Sequence, residues 1–85
     1  MPCISQFLGI AIYMYYNDHG VPHFHAEYGE FEAVYTIDTL EILRGRLPQQ
    51  VHRRVVEWAL THREELSTNW ARAQERLPLE QIEEL

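Results

Sequence analysis

Three of the five histidines fall in one short segment, as His19, His23 and His25. His23 and His25 are two residues apart, so on an extended strand their rings leave the same face, with Cα atoms roughly 6.6 Å apart. Two imidazoles at this spacing can converge on one metal ion. His19 in the preceding loop would supply a third ligand, and Asp18 or Glu32 a carboxylate. Such a set, with one position left open, is typical of hydrolytic zinc or iron centres.

The same histidines have a simpler explanation in local packing. A His-x-His pair lacks the long-range ligand spacing that makes zinc motifs specific, and the rings can hydrogen-bond locally and pack on Tyr13 and Tyr15. Sequence alone favours this packing over a metal site. A divalent metal ion remains the candidate cofactor, and no catalytic residue is assigned.

A second chemical candidate is a pair of carboxylates on a predicted hairpin. With Gly29-Glu30 as a two-residue turn of type II′, Glu27 lies opposite Glu32 and His25 opposite Val34. Like charges directly opposite destabilise a sheet, so solvent, an arginine, a cation or a raised carboxyl pKa must relieve them. A coupled pair of this kind is also a candidate for acid–base chemistry.

Hydrophobic periodicity predicts the elements that position these residues. Alternation of period two predicts strands at 7–16, 23–28, 31–38 and 41–44, and residues 1–6 are read as an arm or a lead-in to the first strand. Apolar residues at steps of three or four predict one long helix over 48–76, with weak helix formers at 67–69 marking a candidate break. The expected fold is a single α+β domain over residues 1–85, a three- to four-stranded antiparallel β-meander with the long C-terminal helix on one face. The helix is expected to cover Leu8, Ile10, Ile12, Phe24, Ala26, Phe31 and Tyr35, leaving His23, His25, Glu27 and Glu32 on the other face.

Composition narrows the classes of partner and compartment. The single cysteine, Cys3, excludes an intrachain disulfide, no signal sequence is recognised, and the longest apolar run is too short to span a bilayer, so a cytoplasmic protein without membrane association is expected. The net charge of −6 disfavours nucleic-acid binding by bulk attraction. Five arginines nevertheless lie within residues 42–63, and RNA binding through Arg46, Arg53, Arg54 and Arg63 is kept as one alternative function.

The leading function predicted from the residues is a small interaction or regulatory module, because a short core is combined with an aromatic-rich sheet. Its expected partner is a second copy of the chain or another protein. The candidate interaction surface comprises Tyr13, Tyr15, Glu27, Arg53 and Arg54. A metal-dependent hydrolase or nuclease that uses the His-x-His site is the other alternative, and an enzymatic role is not assigned.

Several blocks of the sequence resemble one bacterial family, catalogued as domain of unknown function 4160. The blocks are Pro2 to Ile10, Met14-Tyr15-Tyr16-Asn17-Asp18-His19, Pro22-His23-Phe24-His25, Tyr28-Gly29, Trp58 and Asn69-Trp70. Members often have proline where this chain has Val21 and glycine where it has Leu40, so the loop and the second turn are expected to differ here. The resemblance implies a small bacterial protein encoded beside another small domain, in an arrangement like a toxin–antitoxin pair. It carries no catalytic residues over to this chain.

Overall fold

The chain folds as one antiparallel sheet with two helices, as described for residues 2–85 by a computed structural model. The strands are β1 (Cys3–Phe7), β2 (Ile10–Tyr13), β3 (His23–Tyr28), β4 (Phe31–Thr36) and β5 (Ile42–Arg46), and the helices are α1 (Gln49–Thr61) and α2 (Arg63–Gln74). The five strands lie in sequence order across the sheet, which makes it a meander. The predicted α+β class and antiparallel sheet are confirmed, but the strand count of three to four and the single helix were wrong.

The extra strand arises because the predicted strand 7–16 is interrupted by a turn, so that residues 3–7 and 10–13 form a hairpin of two strands. β1 pairs with β2 through a turn at Leu8 and Gly9, whose φ angles are 52° and 78°. Two successive residues with positive φ match the twist of a tight hairpin, but leucine gives no sequence signal for that conformation. Leu8 is consequently 65% exposed, so its predicted place under the helix was wrong. The arm expected at 1–6 largely forms β1, with Met1 outside the described residues.

The hairpin between β3 and β4 has the predicted register. Glu27 pairs with Glu32 and His25 with Val34, and Gly29 has the positive φ that the first residue of a type II′ turn requires. β4 ends at Thr36, short of the predicted 38. β5 covers Ile42–Arg46 instead of 41–44, and its pairing with β4 carries an irregularity beside Val34.

The helical region breaks at His62, where φ is −124° and ψ is 23°, and not at 67–69 as predicted. Residues 67–69 lie inside α2. Asn69 tolerates this position because its side chain is buried and bonded in both directions: its amide donates to the carbonyl of Glu80 and accepts from the Glu80 N–H, both at 2.8 Å. These two bonds offset the weak helix propensity of asparagine.

The core lies between the helices and one face of the sheet, around the fully buried Trp58. The rings of Phe7 and Phe24 lie 5.3 and 6.0 Å from the Trp58 ring, a spacing typical of favourable aromatic pairs. The chain after α2 returns to β1, where the N–H of Ile82 donates to the carbonyl of Ile4. The tail therefore docks on the β1 edge, while β5 forms the opposite edge with all five residues exposed. Among residues 2–85, neither helix is long and apolar enough to cross a membrane.

Candidate metal site

Asp18, His23 and His25 form a compact polar cluster on the side of β3 that faces away from the core. The loop of residues 14–22 folds back over this strand and brings one carboxylate oxygen to both rings. Asp18 Oδ2 lies 3.1 Å from His23 Nε2 and 3.0 Å from His25 Nε2. One ligand atom from each residue lies within 4.8 Å of the other two, so a single ion could contact all three.

The two rings are buried, whereas the alternation of β3 predicted only that they share a polar face. His23 and His25 are 7% and 5% exposed. The Tyr15 ring lies edge-on at 4.6 Å from His25, and the Trp70 ring of α2 lies 5.0 Å from His23. A period-two pattern reports which residues share a face but not whether a loop or a helix covers that face.

The second nitrogen of each ring also faces an acceptor. His23 Nδ1 lies 2.7 Å from the carbonyl oxygen of Val21, and His25 Nδ1 lies 3.3 Å from Glu32 Oε2. A neutral imidazole has one N–H, so when Nδ1 donates, the lone pair on Nε2 points at the carboxylate of Asp18. A cation between the two Nε2 atoms and Asp18 removes this conflict, and so does an added proton on the rings or on a carboxyl group of the cluster.

Glu32 supports the cluster from behind. Its carboxylate lies 3.3 Å from His25 Nδ1, and when that nitrogen carries the proton the contact fixes ring orientation and tautomer, as in many metal sites. The Val21 carbonyl does the same for His23. The predicted pairing of Glu27 with Glu32 places two negative charges opposite each other. The contact relieves this repulsion, because His25 supplies a donor to one of the two carboxylates. Glu32 therefore lies behind His25 and does not join the converging atoms.

Aromatic side chains cover the cluster on the strand β2 side. The rings of Tyr13 and Tyr15 are stacked with centroids 6.2 Å apart. Burial is the main cause that raises the pKa of the Tyr15 phenol above its ordinary value, and the negative charges of Glu27 and Glu32 raise it further. Burial likewise raises the pKa of Tyr13. Both phenols therefore stay neutral at physiological pH beside the carboxylates.

The remaining predicted site residues lie apart from the cluster. His19 is exposed and is not among the converging groups of the described chain, whereas Asp18, a predicted carboxylate ligand, is one of them. Arg53 and Arg54 are exposed on α1, and Arg54 lies 3.7 Å from Glu57. The other two arginines considered for RNA binding, Arg46 and Arg63, each contact a different part of the protein. The Arg46 guanidinium lies over the Phe31 ring at 5.5 Å, and Arg63 donates to the Ile37 carbonyl.

Sequence reasoning missed how closely the loop is joined to the C-terminal half. Gln74 donates to the carbonyl of Asp18 at 3.3 Å, and the Tyr16 hydroxyl donates to the carbonyl of Leu77 at 3.0 Å. With Trp70 against His23, these contacts connect the cluster to α2 and to the segment that follows it. No local signal identifies such pairs, because their members are more than 45 residues apart in the chain.

Comparison with known proteins gives one match. No curated protein and no solved structure matches the chain. A family model matches residues 9–71, which include the cluster, β2 to β5, α1 and most of α2. The chain therefore belongs to the family described as Domain of unknown function (DUF4160).

Proposed function

We propose that this protein binds a divalent transition-metal ion through Asp18, His23 and His25. The observation that carries the proposal is that acceptors face both nitrogens of both rings. A cation between the two Nε2 atoms and Asp18 satisfies all of them with neutral imidazoles, and it allows Val21 and Glu32 to hold the Nδ1–H groups. An added proton on the rings or on a carboxyl group of the cluster is the competing arrangement.

The donor set suggests which metals fit. Two imidazole nitrogens with one carboxylate oxygen suit zinc, iron(II) and related transition metals, whereas calcium and magnesium prefer sites made entirely of oxygen. Three protein ligands leave at least one coordination position for water or for another group. Zinc is therefore a suitable first probe.

We assign the bound ion a regulatory role within a small interaction module. The histidines are almost completely buried, the loop that carries Asp18 contacts α2 through Gln74, and Trp70 of α2 packs on His23 of β3. An ion at this position would hold the loop on β3 and thereby fix these contacts with α2. The further proposal, that the module acts on a protein partner in the cytoplasm, rests on composition and the short core, and its place in a bacterial toxin–antitoxin-like pair rests on the family resemblance alone.

A metal-dependent hydrolase or nuclease is the second candidate, favoured by the coordination position that three protein ligands leave open. Here the ion would supply an activated water, and mutation of a ligand would abolish turnover. The two candidates differ in what metal removal does. The regulatory role predicts a change in loop order and partner binding, whereas the enzyme also predicts loss of a hydrolytic activity.

Metal binding is tested by titrating untagged, chelator-treated protein with zinc, using calorimetry for affinity and elemental analysis for stoichiometry. We expect one equivalent to bind, together with a change in tryptophan fluorescence, because Trp70 lies against His23. His23→Ala, His25→Ala and Asp18→Asn should each remove this binding. His19→Ala is the matched control, since it removes an exposed histidine from the same segment and should leave binding unchanged.

The result that overturns the proposal is equally direct. If the wild-type protein binds no zinc, iron(II), cobalt(II) or manganese(II), or if His25→Ala binds them as well as wild type, the cluster is an ion-paired structural group. Far-UV circular dichroism of each variant separates the loss of a ligand from the loss of the fold.

A further inference from the structure

The exposed side of α1 carries two further apolar residues, Val56, which is half-buried and packs in part against the core, and Leu60, which is exposed. Val51, Val55, Trp58 and Ala59 face the core and are buried. A shallow groove of about 470 Å³ lies on another side of the helix, between a row of His52, Val56 and Leu60 and a row of Arg53, Glu57 and Thr61. Leu60 is 55% exposed there. A helix that packs on one side and keeps an apolar row on another has surface available for a partner.

The charges beside the apolar row are opposite in sign and one helical turn apart. Arg53 and Glu57 occupy successive positions of the second row. When two such helices lie antiparallel across a two-fold axis near Val56, Val56 meets its own copy and His52 meets Leu60 of the second copy. In the second row, Arg53 then meets Glu57 of the second copy. The two-fold axis generates the equivalent pair, in which Glu57 meets Arg53 of the second copy. The face is therefore complementary to itself, as a two-fold interface requires.

The groove fits other occupants less well. An acidic protein segment or an RNA backbone would be attracted by Arg53 but repelled by Glu57, which lines the same groove. Nucleic-acid bases stack on aromatic rings, whereas the apolar row here consists mainly of Val56 and Leu60. A second copy of this chain is the occupant whose apolar row and charges both match.

Two contacts within the monomer bear on this pairing. Glu57 lies 3.7 Å from Arg54, and both side chains are about half exposed, so the pair contributes little and is readily exchanged for a contact with Arg53 of a second copy. The ring of His52 is held by a 2.7 Å hydrogen bond with the Tyr35 hydroxyl. A fixed ring loses less conformational freedom when it meets Leu60 of the second copy.

We propose that this face of α1 is the interface of a homodimer, in which Val56 and Leu60 form the apolar centre and Arg53 pairs with Glu57 of the second copy. The interface lies on α1 and does not involve the proposed metal ligands. The dimer can therefore exist whether or not a metal binds, and the two proposals fail independently.

A charge exchange tests the interface. Sedimentation equilibrium of the full chain should show a reversible dimer for wild type. Arg53→Glu and Glu57→Arg each place like charges across the axis, and each should raise the dimer dissociation constant by at least about tenfold. The double variant Arg53→Glu with Glu57→Arg restores opposite charges and should return the constant to within about threefold of wild type. Leu60→Glu should yield a monomer, and circular dichroism should show that it remains folded because Leu60 is exposed.

Arg54→Glu is the matched control for charge. Arg54 is the next residue on the same helix and is exposed, but it lines a different groove beside Gln50 and Tyr28. Arg54 also pairs with Glu57, but an exposed pair of this kind contributes at most about 1 kcal/mol, so its replacement should change the dissociation constant by less than about fivefold. A wild-type protein that stays monomeric up to millimolar concentration overturns the proposal. So does a double variant that associates no better than the single ones, or association through this groove with RNA or an acidic protein instead of a second copy.

Discussion

The carboxylate of Glu32 lies 3.3 Å from the Nδ1 atom of His25, although Glu32 is paired in the sheet with another carboxylate, Glu27. The two glutamates thus share a position in the hairpin but differ in their contacts. In metal sites, a carboxylate behind a histidine ligand fixes the ring, and its loss typically lowers metal affinity by about 10–100-fold. We therefore expect Glu32→Ala to weaken zinc binding by about this factor in a calorimetric titration.

Glu27→Ala is the matched control for this prediction. It removes the same charge from the same cross-strand pair, and it relieves the same repulsion, but it leaves the His25 contact in place. Zinc affinity should stay within about threefold of wild type. Equal losses in both variants would mean that the carboxylates act only through their long-range charge, and the positioning role of Glu32 would then be rejected.

Gly45 is required by close contact with the neighbouring strand. Its φ is +80°, and a Cβ atom built there would meet the carbonyl oxygen of Glu32 at 2.1 Å. A backbone atom cannot rotate away as a side chain can, so Gly45→Ala should push β5 from β4. We expect the free energy of unfolding to fall by at least about 3 kcal/mol in urea denaturation.

Gly29→Ala separates this clash from backbone strain. Gly29 also has a positive φ, but an added Cβ meets no atom within 4 Å. Only the cost of a left-handed backbone should appear, about 1 kcal/mol. Similar losses in the two variants would show that contact with Glu32 does not decide the requirement for glycine at 45.

Asn69 joins α2 to the segment that covers the β1 edge. Its amide makes two hydrogen bonds with the backbone of Glu80, and its side chain is buried. Asn69→Ala leaves both Glu80 groups without these partners and should lower the unfolding free energy by about 2–3 kcal/mol. Hydrogen exchange at the Ile82 amide, which is bonded to Ile4, should accelerate more than exchange in the core strands. Ser67→Ala, at an exposed position of the same helix, should change stability by less than about 0.5 kcal/mol.

Tyr35 makes stability fall at alkaline pH. Burial raises its pKa from 10.0 to about 12, so between these values the unfolded chain releases the phenolic proton more readily than the folded chain. The stability that the neutral Tyr35 phenol contributes is fully present below the pKa of the unfolded chain and is lost as the pH rises through the pKa of the folded chain. The free energy of unfolding therefore falls by about 2 kcal/mol between pH 10 and pH 12. Tyr35→Phe should make the pH dependence shallower. Parallel slopes for wild type and Tyr35→Phe would contradict this assignment.

The sequence predicted correctly the turn in which the residue type suits the backbone conformation. Gly29 stands where a positive φ is needed, so the β3–β4 hairpin and its register were readable. Leu8 and Leu40 have φ values of 52° and 60°, where glycine is the usual residue; the turn at Leu8 was missed, and the turn predicted at 39–40 begins earlier, after Thr36. Leu40 adopts its left-handed conformation with a side chain that is buried.

Only the part of the candidate site that lies on the strands was predicted from the sequence. Alternation placed His23 and His25 on one face, and the hairpin placed Glu32 near them. Which residue returned from the preceding loop depended on contacts with α2, so Asp18 and exposed His19 could not be ranked from sequence. The burial of the rings depends on Trp70, 45 or more residues away, for the same reason.

The docking of the tail on β1 also constrains the order of folding. Gln81 donates to the carbonyl of Cys3 across 78 positions of sequence, and Trp58 donates to the carbonyl of Glu83. Contacts of such separation close late and slow a small domain relative to one that is held together by local contacts. During synthesis, β1 and β2 would leave the ribosome long before the residues that cover the β1 edge. The outer edge of β1 therefore stays unpaired until the segment after α2 has been translated.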